Sequence, residues 1–196
     1  MKFEKQHDSS SVGTKAALRE WALAEIGPDR ASVLDCFAGA GEIYRRVWCR
    51  AADYVGCDTR FFLDRRRAYV VDNRRLLRCI DLAPWSVFDL DAYGSPWPQL
   101  EIIAGRRTLA EGERLAVIIT DGSRHRAKLG GLIEASLGRF AGLPRIVAGV
   151  DRPERWLSIE AAAFAGLAAR MGGTVESLRI AEGGATKAMV YAAAIL

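Results

Sequence analysis

A glycine-rich turn that follows an acidic residue is the part of this sequence best suited to bind a ligand. Residues 33–37 (VLDCF) form an apolar run that contains Asp35, and Gly39 and Gly41 come directly after it. Glycine adopts positive φ angles at little cost and lets the backbone come close to a bound molecule. Residues 42–50 have the length to begin a helix, and a ligand commonly lies at such a helix N-terminus. The pattern predicts a strand, a nucleoside-binding loop without phosphate contacts, and a helix start.

Acidic residues also end the next two strand-like runs, residues 53–58 and 68–72. These residues are Asp58 and Asp72. Ligands of open parallel sheets bind beyond the carboxyl ends of the strands. A carboxylate can accept from both hydroxyls of a ribose, which is the role that we expect of Asp58. Each residue alone could equally cap the helix that follows it, but together and in this order they favour a nucleoside site.

A third chemically rich segment is the strand-like run 87–91 (VFDLD) with the turn that follows it, residues 92–97 (AYGSPW). Asp89 and Asp91 alternate in an apolar strand and therefore point to the same side. An aromatic ring and a carboxylate at one tight turn can hold a planar base and align the protons of its amine. The alternative is structural: Asp91 caps the next helix, while Tyr93 and Trp97 fill the core.

These residues need a framework of alternating strands and helices. The spacing of Leu18, Ala22 and Ile26 predicts a helix that Thr14 caps and that Gly27 ends. Strands that alternate with helices are typical of a parallel sheet with crossover helices. The strand-like runs are residues 31–38, 53–58, 68–72, 86–91 and 115–121.

The C-terminal part departs from this alternation. After a predicted helix over residues 156–171, the strand-like runs 174–181 and 189–196 are separated by a connection that is too short for a crossover helix. These two strands should form an antiparallel hairpin, with the last strand inserted into the sheet. The sequence predicts one domain over residues 1–196, in which residues 1–13 are a loose tail.

Composition limits the class of protein. No apolar run approaches the ~20 residues of a membrane span, and the polar N-terminus does not resemble a signal peptide, so a cytoplasmic protein is expected. The four cysteines form no C-x-x-C pair, and no metal site is predicted. The net charge of +4 permits an anionic partner. Arginines are concentrated in residues 60–78, which contain seven arginines and two aspartates. A solvated surface is the commoner explanation, although arginine suits phosphate contacts and base stacking.

The pattern D-x-F-x-G-x-G resembles the first motif of class I S-adenosylmethionine (AdoMet) methyltransferases. The resemblance implies their Rossmann-like α/β fold, a seven-stranded, mostly parallel sheet with an antiparallel last strand and helices on both faces. It also implies AdoMet as the cofactor, with the methionine part against Asp35 and Phe37, the ribose on Asp58, and the adenine near Asp72 and Asn73. The implied cofactor-binding residues are Asp35, Phe37, Gly39, Gly41, Asp58, Asp72 and Asn73.

The turn at residues 91–96 resembles the D-P-P-Y motif of amino-methylating enzymes, and it is closer to the D-P-[FY]-G-S-P turn of tRNA guanine-N2 methyltransferases. This resemblance implies that Asp91 orients the amine, Tyr93 stacks on the base and Gly94 leaves room for it. Ala92 stands where that family has proline. The residues expected to contact the acceptor are Ser95, Pro96, Trp97, Arg124, His125 and Arg126.

The expected function is an AdoMet-dependent N-methyltransferase that acts on an exocyclic amine of a nucleobase, with RNA favoured over DNA and a partner protein possible for target recognition. One alternative is a DNA amino-methyltransferase, and another is a noncatalytic nucleoside- or nucleic-acid-binding subunit, which Ala92 favours. A similar turn also occurs in the three-Cys-motif partner proteins of bacterial defence systems. A dinucleotide site is disfavoured because Tyr44 occupies the third glycine position of G-x-G-x-x-G.

Overall fold

The computed structural model describes residues 11–124, 127, 132–147, 153–183 and 189–196. Its strands are β1 (Ser32–Asp35), β2 (Asp53–Asp58), β3 (Ala68–Val70), β4 (Val87–Asp91), β5 (Ala116–Asp121), β6 (Ser177–Gly183) and β7 (Met189–Ile195). The helices in this part of the chain are α1 (Val12–Ile26), α2 (Glu42–Arg46), α3 (Asn73–Cys79), α4 (Trp97–Ala104), α5 (Ala135–Ala141) and α6 (Pro153–Arg170).

The strands form one seven-stranded sheet in the order β3-β2-β1-β4-β5-β7-β6. Strands β1 to β5 pair in parallel, whereas β7 lies antiparallel between β5 and β6. The predicted α/β class, the mostly parallel sheet and the inserted antiparallel last strand are therefore confirmed. The strand order reverses between β1 and β4, and in open α/β sheets such a switch point opens a crevice at the carboxyl ends of the strands.

Alternate residues of the central strands face opposite sides of the sheet, and each side has its own buried apolar cluster. Val33 and Val87 lie in the cluster that α1 covers. Leu34 and Phe88 lie in the other cluster, which α3, α4, α5 and α6 cover. The described helices therefore cover both faces, and α1 reaches the crevice from the side opposite to α4.

Several element boundaries differ from those predicted. Strand β1 ends at Asp35 rather than residue 38, because the Asp35 side chain accepts from the Phe37 N–H and turns the chain. Helix α2 ends at Arg46, and a separate 3₁₀ turn follows at Trp48–Arg50. The side chain of Trp48 is buried in the core at this turn.

The N-terminal boundary also differs from the prediction. Helix α1 begins at Val12, so residues 12 and 13 belong to the helix and Thr14 is not its cap. The remainder of the predicted tail, residues 1–10, lies outside the described residues. In the part of the chain that the structure describes, no helix combines the length and apolar character needed to span a bilayer.

Candidate functional site

A cavity of about 390 Å³ opens at the carboxyl ends of β1 and β4, within the usual volume range of small-molecule sites. Its wall combines the glycine turn, the end of β2, the turn after β4 and the first turn of α1. The structure thus brings together residues from three separate predicted segments. The predicted site residues on its wall are Asp35, Phe37, Gly39, Gly41, Asp58, Asp91 and Tyr93.

The glycine turn has the conformation that its sequence predicts. Gly39 and Gly41 have φ angles of 45° and 79°, in the region that favours glycine. The guanidinium of Arg66 lies over the turn and donates to the carbonyl oxygens of Ala38, at 2.9 Å, and Gly39, at 2.7 Å. A Cβ atom at Gly41 would lie 2.6 Å from Arg66 Cζ. Arg66 therefore holds the turn from outside, a role that its sequence position did not indicate.

Asp58 connects the end of β2 to the glycine turn. Its Oδ2 accepts from the Gly39 N–H at 3.0 Å, and its Oδ1 accepts from the Arg60 N–H at 2.9 Å. A carboxylate oxygen has two acceptor positions, so each oxygen keeps one for a ligand. This geometry fixes the carboxylate in place and is compatible with the predicted contact to two vicinal hydroxyls.

Asp35 is buried beside the next carboxylate of the sheet. Its Oδ1 accepts from the Phe37 N–H and its Oδ2 from the Tyr54 hydroxyl, and Asp89 is its register partner on β4. Burial, reinforced by the negative charge of Asp89, raises the pKa of Asp35 to about 8. In the folded protein without ligand, the Asp35 carboxyl group is therefore mostly protonated at neutral pH.

This raised pKa predicts a pH dependence of stability. The folded protein retains a proton on Asp35 that the unfolded chain loses near pH 4, so the contribution of Asp35 to stability falls as pH rises from about 4 to about 8. Asp35→Asn lacks this titration. Urea unfolding between pH 4 and pH 8 measures this difference. The free energy of unfolding of the variant should rise relative to that of the wild type by at most about 1.4 kcal/mol per pH unit. Parallel pH profiles for the two proteins would contradict the raised pKa.

Two cations of α1 neutralise the carboxylates of β4. Arg19 is fully buried and makes two hydrogen bonds to Asp89, from Nε at 2.7 Å and Nη2 at 2.5 Å. The indole of Trp48 donates to Asp89 Oδ2 at 2.7 Å. Asp89 and Asp91 both line the cavity, as their alternation in the strand predicts.

Lys15 approaches the second of these carboxylates, with its Nζ 2.7 Å from Asp91 Oδ1. Burial alone would raise the pKa of Asp91, but the charges of Arg19 and Lys15 hold it below its ordinary value. Asp91 is therefore ionised at neutral pH. Sequence reasoning did not identify Lys15 or Arg19, although both cations fall on the stripe of α1 that also carries Ala22.

The turn after β4 presents an aromatic ring to solvent at the cavity. Tyr93 is 78% exposed, and a Cβ atom added at Gly94 would meet nothing within 4 Å. The Ala92 N–H donates to the Leu90 carbonyl oxygen at 2.9 Å, a bond that proline could not make. The turn without proline is thus held by a backbone hydrogen bond, and open space remains beside Gly94.

Three predicted acceptor contacts lie away from the cavity. Trp97 is fully buried, where its Nε1 donates to Asp121 at 3.0 Å and its ring packs against Phe164. Pro96 is also buried, and Ser95 Oγ accepts from the Trp97 N–H at 3.4 Å. Trp97 was therefore wrong as an acceptor contact, because α4 turns this ring into the core.

The residues after β5 that are expected to contact the acceptor, Arg124, His125 and Arg126, are basic and would form an exposed rim. Arg124 is buried and forms an ion pair with Glu182 on β6, so its guanidinium does not lie on an exposed rim. His125 and Arg126, the other predicted members, lie outside the described residues.

The two residues expected near an adenine lie beside the cavity rather than on its wall. Asp72 is exposed and caps α3 by accepting from the Arg75 N–H at 3.1 Å, which is the structural role considered for it. Asn73 donates to the Cys36 carbonyl oxygen and accepts from Gln99, both at 3.0 Å. The amide of Asn73 is thereby committed to local structure, whereas Asp72 caps α3 with one oxygen from an exposed position.

No family model matches this chain, and no curated protein matches it. The chemistry of the cavity wall is therefore what bears on function. Among the described residues, the wall carries five carboxyl groups and one amine, that of Lys15. Within the described residues, no group of three or more histidine, cysteine or acidic side chains is arranged to hold a metal ion.

Proposed function

We propose that this chain is an AdoMet-dependent N-methyltransferase that modifies an exocyclic amine of a nucleobase in RNA. One observation carries the proposal: an ionised carboxylate, Asp91, and an exposed aromatic ring, Tyr93, share a single cavity with the glycine turn and Asp58. The cavity could thus hold a nucleoside-containing donor on one side and a planar acceptor on the other.

The sheet topology supports the finer assignment to the Rossmann-like class I methyltransferase fold. A seven-stranded sheet with an antiparallel last strand inserted beside β5 is the arrangement that those enzymes have. The strand order is β3-β2-β1-β4-β5-β7-β6, and the cavity lies at its switch point. Fold alone does not specify a reaction, so the chemistry of the wall must support the rest.

The charge of the cavity wall fits AdoMet better than a dinucleotide. AdoMet carries a sulfonium and an ammonium group, both cationic, whereas NAD carries an anionic pyrophosphate. The wall has five carboxyl groups, contributed by Asp35, Glu42, Asp58, Asp89 and Asp91. Asp35 is mostly protonated, and Asp89 and Asp91 are paired with Arg19 and Lys15, so the carboxylate of Asp58 carries this argument. Asp58 accepts from the Gly39 N–H, and it would repel a pyrophosphate at the glycine turn while attracting a cationic donor. Asp58 retains acceptor positions for ribose hydroxyls, and Asp35 and Phe37 on the same wall are the residues that we propose to contact the methionine part.

In this mechanism AdoMet supplies a methyl group that is already reactive, so the protein needs mainly to position the acceptor. The ionised Asp91 accepts a hydrogen bond from the amine and fixes its orientation, while Tyr93 stacks on the base. Because the pKa of Asp91 is held low, this carboxylate orients the amine rather than deprotonating it beforehand. The amine becomes more acidic once it has been methylated, and Asp91 can then accept or relay its proton.

Calorimetry with AdoMet tests the cofactor assignment through the carboxylates of Asp58 and Asp72. Asp58→Ala removes a wall carboxylate and should weaken AdoMet binding by about tenfold or more, since hydrogen bonds to a charged group contribute about 1.5–3 kcal/mol. Asp72→Asn is the control, because Asp72 follows the neighbouring strand β3 and caps α3 but does not line the cavity. Its AdoMet affinity should equal that of the wild type. Absence of binding to the wild type at high micromolar AdoMet would reject the proposal.

The second candidate is a noncatalytic nucleoside-binding subunit, and the Lys15–Asp91 ion pair favours it. Lys15 Nζ occupies the position on Asp91 where an acceptor amine would donate. In the methyltransferase, the acceptor must displace this ammonium. AdoMet binding without transfer to RNA, DNA or protein would support the noncatalytic candidate, whereas methyl transfer would exclude it.

A further inference from the structure

The outer edge of the sheet next to the cavity carries an exposed surface of arginines and apolar side chains. Residues 60–78 contain seven arginines and two aspartates, a surplus larger than the net charge of +4 of the whole chain. Strand β3 is the edge strand, and all three of its residues are exposed. We call this surface the arginine edge. Its exposed arginines are Arg60, Arg65 and Arg67, which precede β3, and Arg74, Arg75 and Arg78 on α3, which follows it.

Large apolar side chains are exposed between these arginines. Phe61 is 71% exposed, Leu63 93%, Tyr69 52% and Val70 55%. These four are the majority of the large exposed apolar residues in the described part of the chain. The guanidinium of Arg60 lies 5.4 Å from the ring centre of Phe62. Aromatic rings interleaved with guanidinium groups provide flat surfaces on which unpaired bases can stack.

Most of the positive charge of the arginine edge is not neutralised. Arg66 pairs with Asp64, and Arg67 pairs with Asp53. Arg74 is 4.0 Å from Asp72, whereas Arg65 and Arg75 have no ion pair with any described residue. Since arginine binds phosphate oxygens in a bidentate manner, this edge is complementary to a polyanion with flexible, unpaired bases.

The arginine edge is continuous with the cavity. A small cavity of about 90 Å³ lies at the edge, with Arg60, Phe61 and Tyr69 on its wall. Its wall also includes Gly39 and Asp58, which line the larger cavity as well. A nucleic-acid strand bound along the arginine edge would therefore pass directly beside the candidate site.

We propose that the arginine edge binds the backbone and flanking bases of an unpaired RNA segment, one of whose bases enters the acidic cavity. Asp58, which lines both cavities, would repel a phosphate between them, so a base is expected to enter while the edge holds the backbone outside. The RNA assignment rests on the proposed function, but binding at the edge is measurable without any methyl transfer. Exposed rings favour a single strand over a duplex, because paired bases are stacked on each other and cannot stack on side chains.

Fluorescence anisotropy with a labelled single-stranded RNA of mixed sequence tests the contribution of the arginines to RNA binding. Arg65→Gln/Arg75→Gln should weaken binding by about tenfold and lower the slope of log affinity against log salt by about 1.4, at about 0.7 per lost phosphate contact. The matched control is Arg30→Gln/Arg170→Gln, two exposed arginines outside the edge that also lack an ion pair with described residues. The control should bind like the wild type.

A separate experiment tests whether an RNA base stacks on Phe61. Phe61→Ala should weaken RNA binding by roughly tenfold, and Phe61→Tyr should retain it, because base–aromatic stacking contributes about 1–3 kcal/mol per base. Both variants should keep the wild-type melting temperature, since Phe61 is 71% exposed. Equal loss in the two variants would overturn a stacking role.

Other outcomes separate the edge from the proposed enzyme. Equal weakening in the two double-arginine variants would overturn the arginine edge even if AdoMet binds. If the wild type does not bind AdoMet but still binds RNA through the arginine edge, the methyltransferase proposal is overturned and the RNA-binding proposal is supported. Binding of duplex RNA or single-stranded DNA as tightly as the single-stranded RNA would overturn the assignment to unpaired RNA.

Discussion

Replacement of Arg19 by methionine is expected to lower the free energy of unfolding by roughly 3–5 kcal/mol, the usual cost of leaving a buried charge without its partner. Arg19 and Asp89 are both fully buried and share two hydrogen bonds. Methionine keeps much of the length of the side chain but leaves the Asp89 carboxylate beside Asp35. Since domains of this size are stable by about 5–15 kcal/mol, the loss is a large part of the total. Urea denaturation followed by circular dichroism at neutral pH measures it.

Two further variants make this prediction specific to the buried pair. Arg46→Met removes an exposed ion pair with Glu42 and should cost less than about 0.5 kcal/mol. Arg19→Met/Asp89→Asn removes both charges, and it should be clearly more stable than the sum of the single changes because no charge is left unpaired. A cost below 1 kcal/mol for Arg19→Met, or strict additivity in the double variant, would contradict the structural role of the pair.

Asp91→Asn is expected to reduce the rate of methyl transfer from tritiated AdoMet to bulk RNA by about 10²-fold or more, in line with the loss of a positioned acid–base group. The amide keeps the shape of the side chain, but it has no charged oxygen to accept the hydrogen bond from the acceptor amine. It also loses the ion pair with Lys15. Calorimetry with AdoMet on the same variant separates a loss of methyl transfer from a loss of cofactor binding, because Asp58 and the glycine turn are unchanged.

Glu42→Gln is the matched control for Asp91. Glu42 also lines the cavity, but it is the first residue of α2, where its carboxylate pairs with Arg46 in an exposed position. This variant should transfer methyl groups at nearly the wild-type rate. Equal labelling by the wild type and Asp91→Asn would reject the role of Asp91, and labelling of DNA rather than RNA would favour the DNA alternative.

Arg19 and Lys15 also show why α1 belongs to the site. They bind Asp89 and Asp91 across separations of 70 and 76 residues. The helix therefore closes one side of the cavity and sets the charge of both carboxylates. Its sequence predicted only an amphipathic helix with an apolar face, because a cation on such a stripe gives no indication of its partner.

The sequence by itself determined those features that depend on local sterics and side-chain alternation. The turn at Gly39 and Gly41 follows from backbone conformations that glycine adopts readily, and both residues have positive φ. Alternation brought Asp89 and Asp91 to the same wall. The short connection before β7 excluded a crossover helix, and β7 is antiparallel. These patterns were enough to predict the sheet and the part of the cavity wall that the glycine turn, Asp58 and the turn after β4 form.

Only the tertiary structure decided which side chains face the cavity and which enter the core. Trp97 and Arg124 were predicted to contact the acceptor, but partners distant in sequence, Asp121 and Glu182, hold them inside the protein. Arg66 reaches the glycine turn from the far side of β2, at a separation of 27 residues from Gly39. Rotation of a helix or loop about its axis depends on packing against all its neighbours, and no local pattern records those contacts.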